Sequence, residues 1–262
     1  MSDFFHALKA EWLKGRRTFL RYSPIVFAAL FSIPLLATFG TTFDGFSQFG
    51  LPPSLIVAMS PFISWMYVGL PMLCIVIPLL SFEAEHKQGM WKHVNALPAP
   101  GFIQALAKHF FGWCYAAAGT AVLAVLILLA LLGFSLAFPN IDWGIASWNF
   151  WLTLSKAFAV CLITGMALTS MFNVVAARFA GYKAPSLAAV GVFLVEIILA
   201  YADKATLEIV NPWIPWMAGR LFIRHLFFSN VALKPWWLLA PFLWIAAGTA
   251  LHLYLQKKKP LY

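Results

Sequence analysis

A polar island between two long apolar runs holds the residue types that could do chemistry in this chain. It spans residues 82–98 and contains Glu83, Glu85, His86 and His93. The Glu83-x-x-His86 spacing occurs in carboxylate-bridged metal sites of helical bundles. Such sites need a second Glu-x-x-His pair on another helix, and the sequence has none. We therefore interpret these residues as solvated or docking charges and not as a metal site.

Sequence motifs for nucleotide hydrolysis and for acyl chemistry are missing. The 262 residues contain no G-x-x-x-x-G-K-[ST] phosphate loop, no H-E-x-x-H zinc helix and no G-x-S-x-G nucleophile turn. We expect this chain to carry no catalytic residue, no cofactor and no metal ion. Any ATP that drives its work would then be hydrolysed on another chain.

Two ionisable residues lie inside apolar runs. Lys156 is in the run 150–176 and Glu196 is in the run 187–201, each some residues below the predicted outer end. Because an isolated charge in hydrocarbon is costly, we expect an intramembrane polar pair, or a polar cavity that both face. The alternative is that each side chain reaches the outer interface independently.

The composition is that of a polytopic membrane protein. The chain is 62% hydrophobic and only 10% charged, too apolar for a water-soluble domain. Its apolar runs match helices that cross the hydrocarbon. We predict one all-α integral membrane domain over residues 1–262, with six transmembrane helices at 24–39, 55–80, 102–136, 150–176, 187–201 and 236–255.

Particular residues within these runs carry further predictions. Prolines interrupt the second run and predict kinks in its helix. The cysteines lie in apolar runs, which predicts buried packing residues and not disulfide or metal partners. The residues concerned are Pro61, Pro71 and Pro78, and Cys74, Cys114 and Cys161.

The distribution of basic residues predicts the orientation. The net charge is +9, and most Lys and Arg residues sit at membrane edges, so orientation explains them better than nucleic-acid binding does. The N-terminal segment, the polar island, the turn at Lys183 and the C-terminal tail are basic, whereas the short loop 138–143 has no Lys or Arg. By the positive-inside rule, both termini and the polar island are cytosolic.

The N-terminal segment 2–20 has the pattern of an amphipathic helix. Phe4, Phe5, Leu8 and Trp12 share one helical face, and basic residues occupy the rest. We predict an interfacial helix along the cytosolic membrane surface. A basic tail that only follows the positive-inside rule is the less favoured alternative.

The segment 203–232 is too apolar for a solvated loop, and a Pro-rich stretch that includes Pro212 divides it into halves too short to span. We predict a re-entrant pair of helices in the outer leaflet, with Trp213 and Trp216 at headgroup depth. Arg220 and Arg224 form an i, i+4 pair that points to lipid phosphates or an anionic ligand, or that reaches the interface without a specific ligand.

Two stretches carry a resemblance to a known family. The first is Glu11-Trp12-Leu13-Lys14-Gly15-Arg16-Arg17-Thr18, and the second is Glu83-x-Glu85-x5-Trp91-Lys92-x4-Leu97-Pro98-x9-Lys108. With the hydropathy pattern, they resemble the permease subunits of ABC-2 type exporters, in particular small six-span permeases of lantibiotic and bacitracin self-immunity. Gly89-Met90-Trp91 departs from the family, which usually has G-T before the hydrophobic residue.

This resemblance implies an assembly and a site. It implies a second permease subunit, identical or related, and two ABC ATPase subunits that bind ATP and Mg²⁺ beneath a bacterial cytoplasmic (inner) membrane. The segment 82–98 would be a coupling helix seated on the ATPase, and the pair 203–232 would close the outer side. The immunity branch implies export of a membrane-active peptide or lipophilic antibiotic. The implied ATPase contacts are Glu83, Glu85, His86, Trp91 and Lys92.

Two other classes of function remain open from the residues alone. An integral membrane enzyme acting on lipid-linked substrates would use Arg220, Arg224 and the histidines, but no motif supplies its nucleophile. A non-transporting membrane anchor for a cytosolic complex would not need the intramembrane charges at Lys156 and Glu196. A neighbouring gene for an ABC ATPase would favour the exporter.

Overall fold

The computed structural model describes residues 2–16, 18–40, 52–87, 100–178, 213–227 and 239–258, together with positions 187, 190, 191, 194 and 195; side chains at 2, 34–40, 84–87 and 256–258 are not described. Within these ranges every regular element is helical, which confirms the all-α class. The α-helices are α1 Ser2–Arg16, α2 Ser23–Gly40, α3 Pro53–Ser64, α4 Leu70–Lys87, α5 Gly101–Ala137, α6 Trp148–Arg178, α7 Pro215–Phe227 and α8 Leu239–Lys258.

Helix α6 is the centre of the bundle. Helices α8, α5, α4 and α7 all pack along it. Its buried face includes Phe150, Leu154, Ala157 and Cys161, which recur at helical spacing. Small residues let the helices approach closely, as is usual for packing inside membranes.

Three stretches of the described chain are long and apolar enough to cross a membrane. They are Pro53–Glu83, Gly101–Ala137 and Trp148–Arg178, which confirms the predicted second, third and fourth spans. Shorter apolar helices occur at Ser23–Ile33 and Leu239–Leu255, within the predicted first and sixth spans. Most of the predicted fifth span lies outside the described residues, so the total of six spans stays a prediction.

The second span contains one turn of π-helix. The five residues Trp65–Gly69 join α3 to α4. The N–H of Leu70 donates to the carbonyl of Trp65, which is the five-residue spacing of a π turn. Pro71 follows directly and has no N–H to give to the preceding turn. The irregularity predicted from the prolines is therefore a wider turn within one continuous helical run.

The N-terminal helix is shorter than predicted. It ends at Arg16, and a separate 3₁₀ turn covers Phe19–Arg21. The expected continuation to residue 20 is wrong because Thr18 is extended, with φ −121° and ψ 167°. The Thr18 hydroxyl and N–H both donate to the Gly15 carbonyl, and this closes the end of α1.

Helix α1 lies against α5. The ring of Phe4 is 5.9 Å from that of Phe110, and the indole of Trp12 is 5.7 Å from the ring of Tyr115. Leu8 packs on the core, whereas Phe5 is exposed. Much of the predicted apolar face is thus used to dock α1 on the bundle.

The loop between α5 and α6 closes the opposite end of the bundle. The indole N–H of Trp143 donates to the Phe138 carbonyl at 3.3 Å, and the N–H of Ser54 donates to the Trp143 carbonyl at 3.3 Å. Gly144 has a φ of +64°, and a Cβ there would lie 3.0 Å from Pro52, so the loop and the start of α3 require glycine at this position. We call this the Trp143 end and the other the α1 end.

One cysteine prediction is wrong. Cys74 and Cys161 are buried as expected, but Cys114 is exposed on α5. Hydropathy identified an apolar helix and could not identify which of its faces packs on the bundle.

Candidate functional site

The predicted coupling residues begin on the last turns of α4. Glu83 is half-buried there, and Glu85 and His86 lie on the same helix with side chains that are not described. Trp91 and Lys92 lie outside the described residues. Helix α4 is therefore the direct continuation of the second span into the first part of the polar island.

The described half of the predicted re-entrant segment is α7, which packs on α6, α3 and the π turn. Pro212 and the first half lie outside the described residues. Trp213 is exposed, and its carbonyl accepts a 2.7 Å hydrogen bond from the indole N–H of Trp244 on α8. Trp216 is buried in the bundle, and its depth at the membrane headgroups stays a prediction.

The two arginines of α7 have different surroundings. The guanidinium of Arg220 lies 4.1 Å from the centre of the Tyr67 ring in the π turn, within the range of a cation–π contact. Arg224 is exposed. Beside Arg220, a Cβ at Gly219 would lie 3.1 Å from the Met66 sulfur and would overlap the Thr164 hydroxyl. Helix α7 therefore fits closely on α6 and the π turn.

The predicted intramembrane pair is only half described. Lys156 lies on α6 with an exposed side chain. Glu196 lies outside the described residues. Pairing between them stays a prediction.

A buried ion cluster at the α1 end joins the two sequence motifs. The Glu11 carboxylate on α1 accepts from Lys108 Nζ on α5 at 3.0 Å and from Lys14 Nζ at 2.8 Å. Its other oxygen accepts from the Ser81 hydroxyl on α4 at 3.1 Å. Glu11 and Lys108 are only 5% and 6% exposed. The cluster ties three helices together at one carboxylate.

Three further buried polar side chains form a chain next to this cluster. Asn173 Nδ2 on α6 lies 3.2 Å from His109 Nδ1 on α5, and His109 Nε2 lies 3.0 Å from His252 Nδ1 on α8. Both histidines are fully buried. Phe82 at the end of α4 touches both groups: its ring centre is 6.2 Å from that of His252 and 4.6 Å from Lys108 Nζ.

The sequence motifs contain some of these residues but do not predict the site. Glu11 and Lys108 stood in the motifs, but nothing in their spacing indicated that they pair. Asn173, His109 and His252 were not selected, although each is a polar residue in or beside an apolar run. All three also lie toward helix ends that are predicted to be on one side of the membrane. Together, these two properties could have indicated that the three residues are neighbours. Among the described residues, no three His, Cys, Asp or Glu side chains are grouped so as to hold a metal ion.

A comparison with known families supports the interpretation of these motifs. The family model described as "ABC-2 family transporter protein" matches residues 7–199, a region that includes Glu11, the end of α4 and Lys108. No curated protein matches the chain. The family match extends over well more than half of the sequence, and the chain therefore belongs to the ABC-2 transporter family, as a membrane permease component of an ABC transporter.

Proposed function

We propose that this chain is the permease subunit of an ATP-driven exporter whose ATPase, with its ATP and Mg²⁺, is a separate chain. The observation that carries the proposal is the continuity of α4. The helix runs from Leu70 in the buried span to Lys87 in the polar island without a break. A force applied at Glu83 or Glu85 would therefore act on the span through hydrogen-bonded helix.

The contacts just before Glu83 support the same role. Ser81 bonds to Glu11 of α1, and Phe82 contacts Lys108 of α5 and His252 of α8. A displacement of the end of α4 would reach three other helices at once. A loop that only returned the chain to the membrane would not need these contacts.

The finer parts of the proposal rest on the family resemblance and the predicted topology. They are a second permease subunit, cytosolic termini, a bacterial cytoplasmic membrane, and export of a membrane-active peptide or lipophilic antibiotic as self-protection. Exposed apolar residues on α5 support contact with membrane lipids; they include Val125, Leu129, Leu132 and Leu136.

Affinity purification followed by ATP photolabelling tests the ATPase and the coupling site. The tagged permease is purified from its native membranes, and copurified proteins are crosslinked with azido-ATP. We expect one labelled partner chain. Glu83→Lys and Glu85→Lys should each reduce it about tenfold or more, which corresponds to ~1.4 kcal/mol of binding. Asp142→Lys is the matched control, an exposed carboxylate at the Trp143 end, and should leave labelling unchanged.

Two results would contradict this proposal. If no ATP-labelled chain accompanies the wild-type permease, it is not the subunit of a separate-chain ABC transporter. If a labelled chain copurifies equally with both Glu→Lys variants, the segment 82–98 is not the ATPase contact.

A growth assay tests the substrate class. Cells with and without the permease and its ATPase are exposed to lantibiotics, to bacitracin and to a water-soluble antibiotic with a cytosolic target. We expect protection against one or more of the membrane-active agents and none against the soluble control. Equal sensitivity to every membrane-active agent would remove the proposed substrate class.

A further inference from the structure

We propose that His109 and His252 are positioning residues for transport, and that their hydrogen bond sets the position of α8 against α5 in response to the end of α4. This inference rests on the proposed function, because it needs an ATPase that acts on α4. It assigns a role to the hydrogen-bonded series Asn173–His109–His252, and neither sequence motif contains these residues.

The geometry gives the Asn173–His109–His252 series one direction of hydrogen bonding. With Asn173 Nδ2 as donor, His109 Nδ1 is an acceptor, so the His109 proton is on Nε2. That N–H donates to His252 Nδ1, which must be unprotonated. Each neutral side chain thus has a defined role, and the link between α5 and α8 depends on an acceptor at His252 and not only on its ring.

Burial, together with the charges nearby, favours neutral histidines. Lys108 precedes His109 on α5, and both it and Lys14 lie beside the Glu11 carboxylate. Both imidazoles are fully buried, and a buried charge without a counter-ion is costly; the nearby Lys108 ammonium adds to that cost at His252. These side chains therefore act through the direction of their hydrogen bonds and not through a charge.

Phe82 connects the chain to α4. Its ring centre lies near both polar groups, 4.6 Å from Lys108 Nζ and 6.2 Å from the His252 ring centre. Phe82 immediately precedes Glu83, the first proposed ATPase contact. A movement of the α4 end must carry Phe82 along, and this ring meets His252 on α8.

The His109–His252 hydrogen bond is specific because few other hydrogen-bond partners are available to the two side chains. Inside a membrane bundle there is little water to replace a lost hydrogen-bond partner. Helix α8 packs more extensively on α6 than on any other element, while His252 gives it a polar bond to α5. We infer that α8 shifts relative to α5 during the transport cycle and that the His109–His252 bond defines one of its two positions.

Distances between spin labels test this inference in the intact complex of permease and ATPase. Labels are attached at Leu129→Cys on α5 and Leu243→Cys on α8, two exposed sites, in a Cys114→Ala background that removes the exposed native thiol. The inter-label distance is measured without nucleotide and after trapping with ATP and vanadate. We expect a change of about 2 Å or more, the scale of helix shifts in switching transitions.

Two variants at His252 separate hydrogen bonding from packing. His252→Phe keeps a ring next to Phe82 and removes the acceptor, whereas His252→Asn keeps an acceptor and loses the ring. We expect the distance change to be lost in His252→Phe and kept in His252→Asn. A purely structural role predicts the reverse order, because Phe fills the space better than Asn.

The outcomes distinguish this inference from the proposed function. If no ATPase copurifies with the wild-type permease, the proposed function fails and the inference fails with it. If the complex forms and hydrolyses ATP but the wild-type distance does not change, the inference alone is wrong. A distance change that persists in His252→Phe also overturns it.

Discussion

The two ends of the bundle are held together by different kinds of contact. At the α1 end, buried charges and polar side chains join α1, α4, α5, α6 and α8 through Glu11, Lys108 and the histidine chain. At the Trp143 end, the contacts include backbone hydrogen bonds, uncharged or exposed side-chain bonds such as that of the Trp143 indole to the Phe138 carbonyl, and aromatic packing such as the 5.9 Å contact between the rings of Phe134 and Trp143. Helix α7 is fitted closely on the middle of α6 at Gly219.

This difference indicates which end of the bundle can switch between arrangements of its helices. A polar contact in a low-dielectric interior is either made or costly, so a network of such contacts selects between discrete arrangements. Close packing around glycine is found in both regions, at Gly219 on α7 and at Gly248 on α8, so it does not distinguish them. We therefore expect substitutions at the α1 end to alter transport and stability together, and those around α7 to act mainly through packing.

The largest effect should follow from Glu11→Ala. It leaves Lys108 buried without this carboxylate, and breaking a buried pair costs about 3–5 kcal/mol. For a chain of this size the melting temperature should fall by about 6–20 °C, measured by tryptophan fluorescence of the purified protein. Adding Lys108→Met removes the buried ammonium and should restore part of the loss. If the double variant is no more stable than Glu11→Ala, the ion pair does not hold α1 to α5.

A smaller loss of stability is expected from Gly219→Ala. The added methyl group overlaps Thr164 and crowds Met66, and overpacking of this kind costs about 1–3 kcal/mol. The matched control is Gly133→Ala on α5, where a Cβ meets nothing within 4 Å and the substitution should be neutral or slightly stabilising. Equal melting temperatures for the two variants would show that α7 is not closely packed on α6.

The smallest effect should come from Arg220→Met. It removes the guanidinium from the Tyr67 ring and keeps much of the aliphatic length, so we expect a loss of about 1 kcal/mol. Arg224→Met, at an exposed site four residues on, should stay within about 0.5 kcal/mol of wild type. Thermal melts of both variants and of Tyr67→Leu measure the contact; an Arg220 effect that is unchanged in the Tyr67→Leu background would place its energy elsewhere.

The sequence predicted what depends on local hydropathy. The apolar runs identified three membrane-capable stretches, and their bounds agree with the helices to within a few residues. Charge patterning identified α1, but its end at Arg16 depends on the backbone of Thr18, which a helical-face pattern does not contain.

The buried site could not be predicted in the same way. Glu11 and Lys108 are 97 residues apart, and their contact depends on which faces of α1 and α5 meet. Hydropathy does not specify those faces, as the exposed Cys114 also shows. His252 stood in an apolar run as one of its few polar residues, and the packing of α8 on α5 and α6 brings it to His109.

The π turn at Trp65–Gly69 changes the face of the helix on which each later residue of α4 lies. A π turn holds one residue more than the α-helical repeat, and each residue of an α-helix advances by ~100°. A helical wheel drawn from Pro53 straight through the turn would therefore misplace every later position by about that angle. Glu83 and Glu85 should be assigned to faces from Leu70 onward, and a one-residue deletion within the turn would replace it by an ordinary α turn and leave both carboxylates on their present faces.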